Sequence, residues 1–173
     1  YEPVVRLQGG HCVRVPLHPP AYRIDWDRVA DLVNDRTRLI ITNTPHNPTG
    51  SAWDASDIPA LERIVARRRL FLLADEVYEH IIFDGRRHES LCRHPALYAR
   101  SFVVSSFGKT YHTTGWKIGY CVAPAALTVE FRRIHQYVTF TSNTPVQLGL
   151  ADFLAAHPEH HRNLGAFYQR KRD

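Results

Sequence analysis

Short apolar runs of strand length alternate along this chain with longer segments that have helical periodicity. The runs predict strands at 11–17, 37–43, 70–75, 101–105 and 118–123, and a shorter one at 81–83 before an Asp84-Gly85 turn. The run at 37–43 has the continuous apolar character of a strand that is covered on both faces. Strands that alternate with helices predict an α/β fold, with a mainly parallel sheet flanked by helices.

Capping residues and prolines mark the predicted helices. Asp25 has the character of an N-cap, and the helix after it should turn Val29, Ala30, Leu32 and Val33 inward. The same signals predict a helix over 57–69, with Asp57 as its cap and Pro59 in the first turn, and another over 127–140. In the last segment, one helix is capped by Ser142 or Asn143 and continues through Leu154, and another starts near Glu159.

Length and composition indicate one globular unit. The chain has 173 residues, of which 44% are hydrophobic, and it contains no repeat or linker. No apolar run approaches the roughly 18 to 20 residues of a membrane span, and the first residues lack a secretory signal. The three cysteines are widely spaced, which is typical of a reducing compartment. We therefore expect a cytoplasmic protein with no membrane partner.

Charge and histidine content add no further binding function. The net charge is +5, and the densest basic run, Arg67 to Arg69, closes a predicted helix, where cations complement the helix dipole. No face interleaves basic and aromatic residues, so we expect no nucleic-acid partner. The eleven histidines are scattered without metal-ligand spacing, and we expect them on the surface, with no metal site.

The chain contains no methionine and ends inside a predicted helix. We expect it to be a fragment of a longer polypeptide, so that a functional site could be only partly present.

Polar side chains follow three of the predicted strands. In an open α/β sheet, ligands bind at the carboxyl ends of the strands. A lysine that follows a buried strand is costly unless its amine is bonded or neutralised. The residues that this edge would bring together are Asn47, Asp75, Tyr78, Ser106, Lys109 and Lys117.

Each of these residues also has an ordinary structural explanation. Asn47 could only form a turn, Asp75 could cap a helix, and Tyr78 could be a half-buried aromatic residue. Ser106 could cap a turn, and the two lysines could be solvated residues at strand ends. Only the joint occurrence of all six in this order favours a site.

Four motifs carry a family resemblance: NTPHNPTG at 43–50, DEVYE at 75–79, SSFGKT at 105–110 and TGWKIG at 114–119. With them, the chain resembles the large domain of the class I and II aminotransferases, which are pyridoxal-phosphate enzymes of fold type I. Within that group it is most similar to the methionine and kynurenine aminotransferase branch.

The resemblance implies roles for the candidate residues. Lys109 would form the Schiff base with the cofactor aldehyde and then act as the general base at the substrate α-carbon. Asp75 would pair with the pyridine nitrogen, and Tyr78 and Asn47 would donate hydrogen bonds to the phenolic oxygen. The phosphate would be held by Ser106 and by Lys117, where many relatives have arginine.

The resemblance also implies what lies outside the chain. Residues 1–173 would be part of the large, cofactor-binding domain, without its N-terminal segment and without the C-terminal small domain. The phosphate-binding loop and the ring-stacking aromatic residue would precede Tyr1, and the arginine for the substrate carboxylate would follow Asp173. The complete protein would be a homodimer that acts on an amino acid and a 2-oxo acid, with methionine-like or aromatic side chains as the expected substrates.

Two other functions share this fold. A carbon-sulfur β-lyase would use the same lysine and aspartate. A transcription regulator with a pyridoxal-phosphate-binding domain would carry a DNA-binding module upstream. A pseudo-enzyme is less compatible with the sequence, because every expected cofactor position in the chain has a competent residue.

Overall fold

The computed structural model describes all residues from 1 to 173 and contains one four-stranded sheet. Its strands are β1 (Leu39–Asn43), β2 (Phe71–Asp75), β3 (Ser101–Ser106) and β4 (Gly119–Val122), and they lie in that order across the sheet. The first three are parallel and β4 is antiparallel to β3. The predicted mainly parallel sheet is therefore confirmed.

Helices connect and follow the strands. They are α1 (Glu2–Leu7), α2 (Trp26–Leu32), α3 (Asp57–Ala66), α4 (Pro95–Tyr98), α5 (Phe107–Thr110), α6 (Ala125–Val138), α7 (Thr144–Ala156) and α8 (His160–Arg172), with short 3₁₀ turns at Leu91–Arg93 and Thr114–Trp116. None of these helices has both the length and the apolar character that crossing a bilayer requires.

The core lies between α3 and one face of the sheet. Ile58, Leu61 and Val65 recur at helical spacing and line one side of α3. They pack against Leu72 and Ala74 of β2, which are both completely buried. This packing fixes the carboxyl end of β2.

Burial alternates along the strands. Ser101, Val103 and Ser105 of β3 are buried, and the residues between them are half-buried. On the other face, Leu39 and Phe71 are 39% and 45% exposed, although Phe102 contacts Phe131 of α6. The expectation that 37–43 forms a strand covered on both faces is met on one face only.

Two predicted helix caps are confirmed. The Asp25 carboxylate accepts a hydrogen bond of 2.8 Å from the backbone N–H of Arg28. The Asn143 side chain accepts one of 3.2 Å from the N–H of Val146. Val29 is buried as predicted. Ala30 is exposed, because only one narrow side of α2 packs against the rest of the protein.

Several predicted elements are wrong. Residues 11–17 and 81–83 form no strand, because no neighbouring strand pairs with them. The helix predicted over 57–69 ends at Ala66, and Asp57 is its first residue rather than its cap. The Asp57 carboxylate instead accepts hydrogen bonds from the Trp26 indole and from the backbone of Asp54, at 2.8 and 2.9 Å.

Candidate active site

The register of the sheet places the predicted polar residues at one edge. Asn43 is paired with Asp75, and Asp75 is paired with Val104, two residues before Ser106. Because side chains alternate between the faces of a sheet, Asn43, Asp75 and Ser106 all lie on the face opposite the α3 core. The carboxylate and the hydroxyl that were predicted for the cofactor site therefore share a face.

Asn43 ties the first motif to β2. Its amide donates a hydrogen bond of 3.1 Å to the backbone carbonyl of Asp75. Its side-chain oxygen accepts one of 2.8 Å from the backbone N–H of Asn47. The loop that carries Asn47 is thus attached to the strand end that carries Asp75.

Asn47, Tyr78 and Lys109 come together directly. The Asn47 amide donates a hydrogen bond of 3.3 Å to the Tyr78 hydroxyl. The Lys109 Nζ lies 5.8 Å from the centroid of the Tyr78 ring. The Tyr78 hydroxyl accepts from Asn47, so its own proton remains free to be donated to a ligand.

Tyr1 is a site residue that the sequence did not indicate. Its hydroxyl donates a hydrogen bond to the Asp75 carboxylate, across 74 positions of the chain. Although 58% of Tyr1 as a whole is exposed, partial burial of its hydroxyl raises the pKa of Tyr1 well above the usual value, and the hydrogen bond to the Asp75 carboxylate raises it further. Tyr1 therefore stays protonated and remains a donor. No local pattern marks this contact, because it depends on how α1 meets the sheet.

Lys109 lies in a single helical turn, α5, directly after β3. A Cβ on Gly108 would lie 3.0 Å from the backbone of Thr114, so glycine allows this turn to pack against the 3₁₀ turn. The His160 ring donates a hydrogen bond of 2.8 Å to the carbonyl of Thr110. The lysine is therefore carried by a segment that α8 holds in place.

Ser106 and Lys117 have unused polar groups. The Ser106 hydroxyl does not cap α5, and Lys117 is exposed in a left-handed backbone conformation with φ of 56°. All side-chain ion pairs of the chain are formed by arginine or histidine. Neither Lys109 nor Lys117 therefore forms an ion pair with a carboxylate of the chain. Lys117 directly follows the 3₁₀ turn at Thr114–Trp116 and lies two residues before Gly119, which is paired with Ser106.

Glu76 and His88 form a buried pair next to the site. The Glu76 side chain is 1% exposed and lies 2.9 Å from the His88 ring, which is 12% exposed. Glu76 also accepts a hydrogen bond of 3.0 Å from the backbone N–H of Leu91. The expectation that the histidines are surface residues is wrong for His88, because a buried carboxylate requires a partner.

The family comparison covers the whole chain. The family model for aminotransferase class I and II matches residues 1–173. A methionine aminotransferase of Escherichia coli strain K12 is 53% identical over 173 residues, which are 100% of this chain and 45% of that protein. A kynurenine–oxoglutarate transaminase of Dictyostelium discoideum is 34% identical over 156 residues, which are 88% of this chain and 36% of that protein.

The fold is also similar to solved structures. The crystal structure of YbdL from Escherichia coli, for which a methionine aminotransferase function is identified, matches with a TM-score of 0.96 and 53% identity. The match covers 99% of this chain and 45% of that chain. This chain thus spans less than half the length of the relatives that it matches.

Proposed function

The chain belongs to the class I and II aminotransferases, and from this premise we propose that it is the cofactor-binding part of a longer pyridoxal-phosphate-dependent aminotransferase. That enzyme transfers the amino group of an α-amino acid to a 2-oxo acid. The observation that carries the proposal is the contact of Asn47, Tyr78 and Lys109 at the sheet edge where Asp75 also lies.

The donor set of this edge fits pyridoxal phosphate. The cofactor has a basic ring nitrogen, a phenolic oxygen, an aldehyde and a phosphate. The edge offers a carboxylate, a phenol beside an amide, an amine, and a hydroxyl with a second amine. When bound, the cofactor supplies a protonated ring that takes up the electron pair left at the substrate α-carbon.

Asp75 would face the ring nitrogen and keep it protonated. Its carboxylate is fixed by Tyr1 on one oxygen and by the backbone N–H of Val77, at 3.2 Å, on the other. Tyr78 and Asn47 would donate to the phenolic oxygen and stabilise its negative charge.

Lys109 would bind the aldehyde covalently through its amine. Once substrate has displaced it, the amine would move a proton from the substrate α-carbon to the former aldehyde carbon. Ser106 and Lys117 would hold the phosphate, with one hydroxyl donor and one positive charge. A bidentate grip is not available, since lysine presents a point charge.

The substrate is proposed from the relatives. The proteins to which this chain is similar are named for methionine and for kynurenine. We therefore propose an amino acid with a methionine-like or aromatic side chain. The residues that would bind the substrate carboxylate are not among the groups at this edge.

We further propose that the complete protein is a cytoplasmic homodimer. All three cysteines are unpaired, which suits a reducing compartment. Large apolar side chains of α6, including Ile134 and Tyr137, are 66% and 86% exposed, and such a patch favours contact with further protein surface. Light scattering should give twice the mass of the full-length chain, and a monomeric mass would contradict the dimer.

Product analysis of the full-length protein tests the reaction. The assay contains pyridoxal phosphate, 2-oxoglutarate and either methionine or kynurenine. We expect one 2-oxoglutarate to be aminated for each amino acid consumed, and no reaction in a Lys109→Ala variant. Formation of pyruvate and a thiol from a cysteine conjugate, without any need for a 2-oxo acid, would instead identify a carbon-sulfur lyase. Specific DNA binding without either reaction would identify a regulator.

A further inference from the structure

Glu79 connects the turn after β2 to the next two strands. One of its carboxylate oxygens accepts a hydrogen bond of 2.8 Å from the Ser105 hydroxyl and another of 2.8 Å from the Tyr120 hydroxyl. Ser105 and Tyr120 are directly paired in the register of β3 and β4. A single carboxylate therefore bridges two strands that already face each other.

The bridge lies on the other side of the sheet from the cofactor groups. Ser105 is on the core face, whereas its neighbour Ser106 is on the face that carries Asp75. Glu79 thus supports the site from behind. Only 20% of its side chain is exposed, and Ser105 is buried, so the hydrogen bond between them has little competition from water, whereas Tyr120 is 41% exposed.

The two ends of the bridge carry different parts of the site. Glu79 directly follows Tyr78, and its backbone N–H donates a hydrogen bond of 2.9 Å to the carbonyl of Glu76, which closes the turn that presents the Tyr78 phenol. At the other end, Ser105 precedes Ser106 and the single turn that contains Lys109. The bridge joins the ring-binding half of the site to the lysine and phosphate half.

Tyr120 extends the bridge to the lysine segment. Its ring contacts the ring of Phe107, the first residue of α5, with a centroid distance of 5.4 Å. Phe107 also donates a backbone hydrogen bond of 3.2 Å to the carbonyl of Ile118. Burial of the Tyr120 hydroxyl and the nearby Glu79 carboxylate raise the pKa of Tyr120 to about 12, so it stays a hydrogen-bond donor at working pH.

We propose that Glu79 is a positioning residue, which holds the Tyr78 turn at a fixed distance from Ser106 and Lys109 through Ser105 and Tyr120. This inference rests on the proposed function, because the two halves are the ring end and the aldehyde and phosphate end of the cofactor site. Glu79 itself touches neither cofactor nor substrate.

The test compares Glu79→Ala with Glu79→Gln in the full-length protein loaded with pyridoxal phosphate. The glutamine keeps a side-chain oxygen that accepts both hydrogen bonds but removes the charge. We expect Glu79→Ala to lower kcat about 10-fold to 100-fold with little change in KM, since small misplacements of reacting groups are costly. Glu79→Gln should stay within about threefold of the wild type.

The pH dependence of the cofactor's visible absorption separates position from charge. Misplacing Tyr78 weakens the hydrogen bond to the anionic phenolic oxygen, which raises the pH at which the cofactor–lysine linkage loses its proton. Loss of a nearby negative charge would lower that pH. We expect a raised midpoint in Glu79→Ala and an unchanged one in Glu79→Gln. A lowered midpoint in both variants would overturn the proposal.

A second pair of variants controls for simple destabilisation. The double variant Ser105→Ala/Tyr120→Phe should shift the midpoint by the same amount as Glu79→Ala. The triple variant, which combines all three changes, should show no larger shift. Ser101→Ala is the matched control, because Ser101 also makes a buried side-chain hydrogen bond on β3, 2.7 Å to the Leu97 carbonyl, but at the opposite end of the strand. It should lower Tm without shifting the midpoint.

The outcomes also separate this inference from the proposed function. If the wild-type protein carries no cofactor on Lys109, the proposed function fails irrespective of Glu79. If the wild type is loaded and Glu79→Ala lowers only Tm, with kcat and midpoint unchanged, Glu79 has a merely structural role and the inference alone is wrong.

Discussion

Asp75 is restrained by groups from three parts of the chain. The Tyr1 hydroxyl and the Val77 N–H hold its two carboxylate oxygens, and the Asn43 amide holds its backbone carbonyl. A carboxylate fixed in this way does not have to be ordered when a ligand binds, which is what a cofactor site requires. The carboxylate that we propose for the ring nitrogen is therefore preorganised.

Ser106 and Lys117, the groups proposed for the phosphate, are less constrained, which leads to a prediction for Lys117. We expect Lys117→Ala to weaken the affinity of the full-length protein for pyridoxal phosphate about 10-fold to 100-fold, because a hydrogen bond to a charged group contributes about 1.5 to 3 kcal/mol. The affinity for pyridoxal, which lacks the phosphate, should not change. Absorbance titration of the apoprotein measures both.

Lys171→Ala is the matched control for this experiment. Lys171 is an exposed lysine whose amine lies 4.6 Å from the centroid of the Phe167 ring, away from the sheet edge. It should leave both affinities unchanged. An equal loss of affinity for pyridoxal and pyridoxal phosphate in Lys117→Ala would contradict a phosphate-binding role.

At the scale of elements, the sequence was most informative where burial and capping act locally. The strands at 39–43, 71–75 and 101–106 are all marked by apolar runs in the sequence, and each has another of these strands as its neighbour in the sheet. Residues 11–17 have the same kind of run, but a strand also requires a partner, and none is adjacent. Helix α1 has six residues, too few for a periodic signal.

The same limit applies to the candidate site. Asn47, Asp75, Tyr78 and Lys109 each lie at or just after the carboxyl end of a predicted strand. The sequence therefore predicts that they share one edge of the sheet. The contacts made by Tyr1 and Glu79 depend on residues 26 to 74 positions away. Such contacts arise from the packing of whole elements, so no local spacing indicates them.

Helix α8 is attached to the Asp84-Gly85 turn by an ion pair with a defined pH dependence. Arg172 donates two hydrogen bonds, of 2.8 and 2.6 Å, to Asp84, and Gln169 donates a third. The Arg172 side chain, with Gln169, lowers the pKa of Asp84 to about 2. A lowered pKa in the folded state means that the contribution to stability is present above the ordinary value and is lost as the pH falls toward 2.

We therefore expect Asp84→Asn to lower the Tm of the full-length protein at pH 6. The difference from the wild type should shrink as the pH falls from about 4 to about 2, because the wild-type carboxylate takes up its proton in the unfolded state before it does so in the folded state. Glu130→Gln, which removes a surface pair with Arg133, is the control. A difference in Tm that is the same at pH 6 and pH 2 would exclude the ion pair as its cause.

At the scale of the whole molecule, the chain has a small core. Only 24 of its 173 residues are buried, and none of them belongs to α6. The six residues of the proposed cofactor site are all half-buried or exposed. A cleft of about 270 Å³ lies elsewhere, between α2 and α3.

These features predict that the 173 residues alone are a poor catalyst. We expect the isolated chain to bind pyridoxal phosphate weakly and to show negligible transamination, whereas the full-length protein does both. Parallel absorbance titrations and turnover assays measure the difference. Robust turnover by the isolated chain would show that the site is complete without further protein.

Identifying the residue that binds the cofactor tests the proposed function most directly. The full-length protein is loaded with pyridoxal phosphate, reduced with borohydride and digested, and the modified peptide is mapped by mass spectrometry. We expect the adduct on Lys109, and no adduct in Lys109→Ala. An adduct on Lys117, Lys171 or any lysine outside this chain, with Lys109 unmodified, would contradict the role proposed for Lys109.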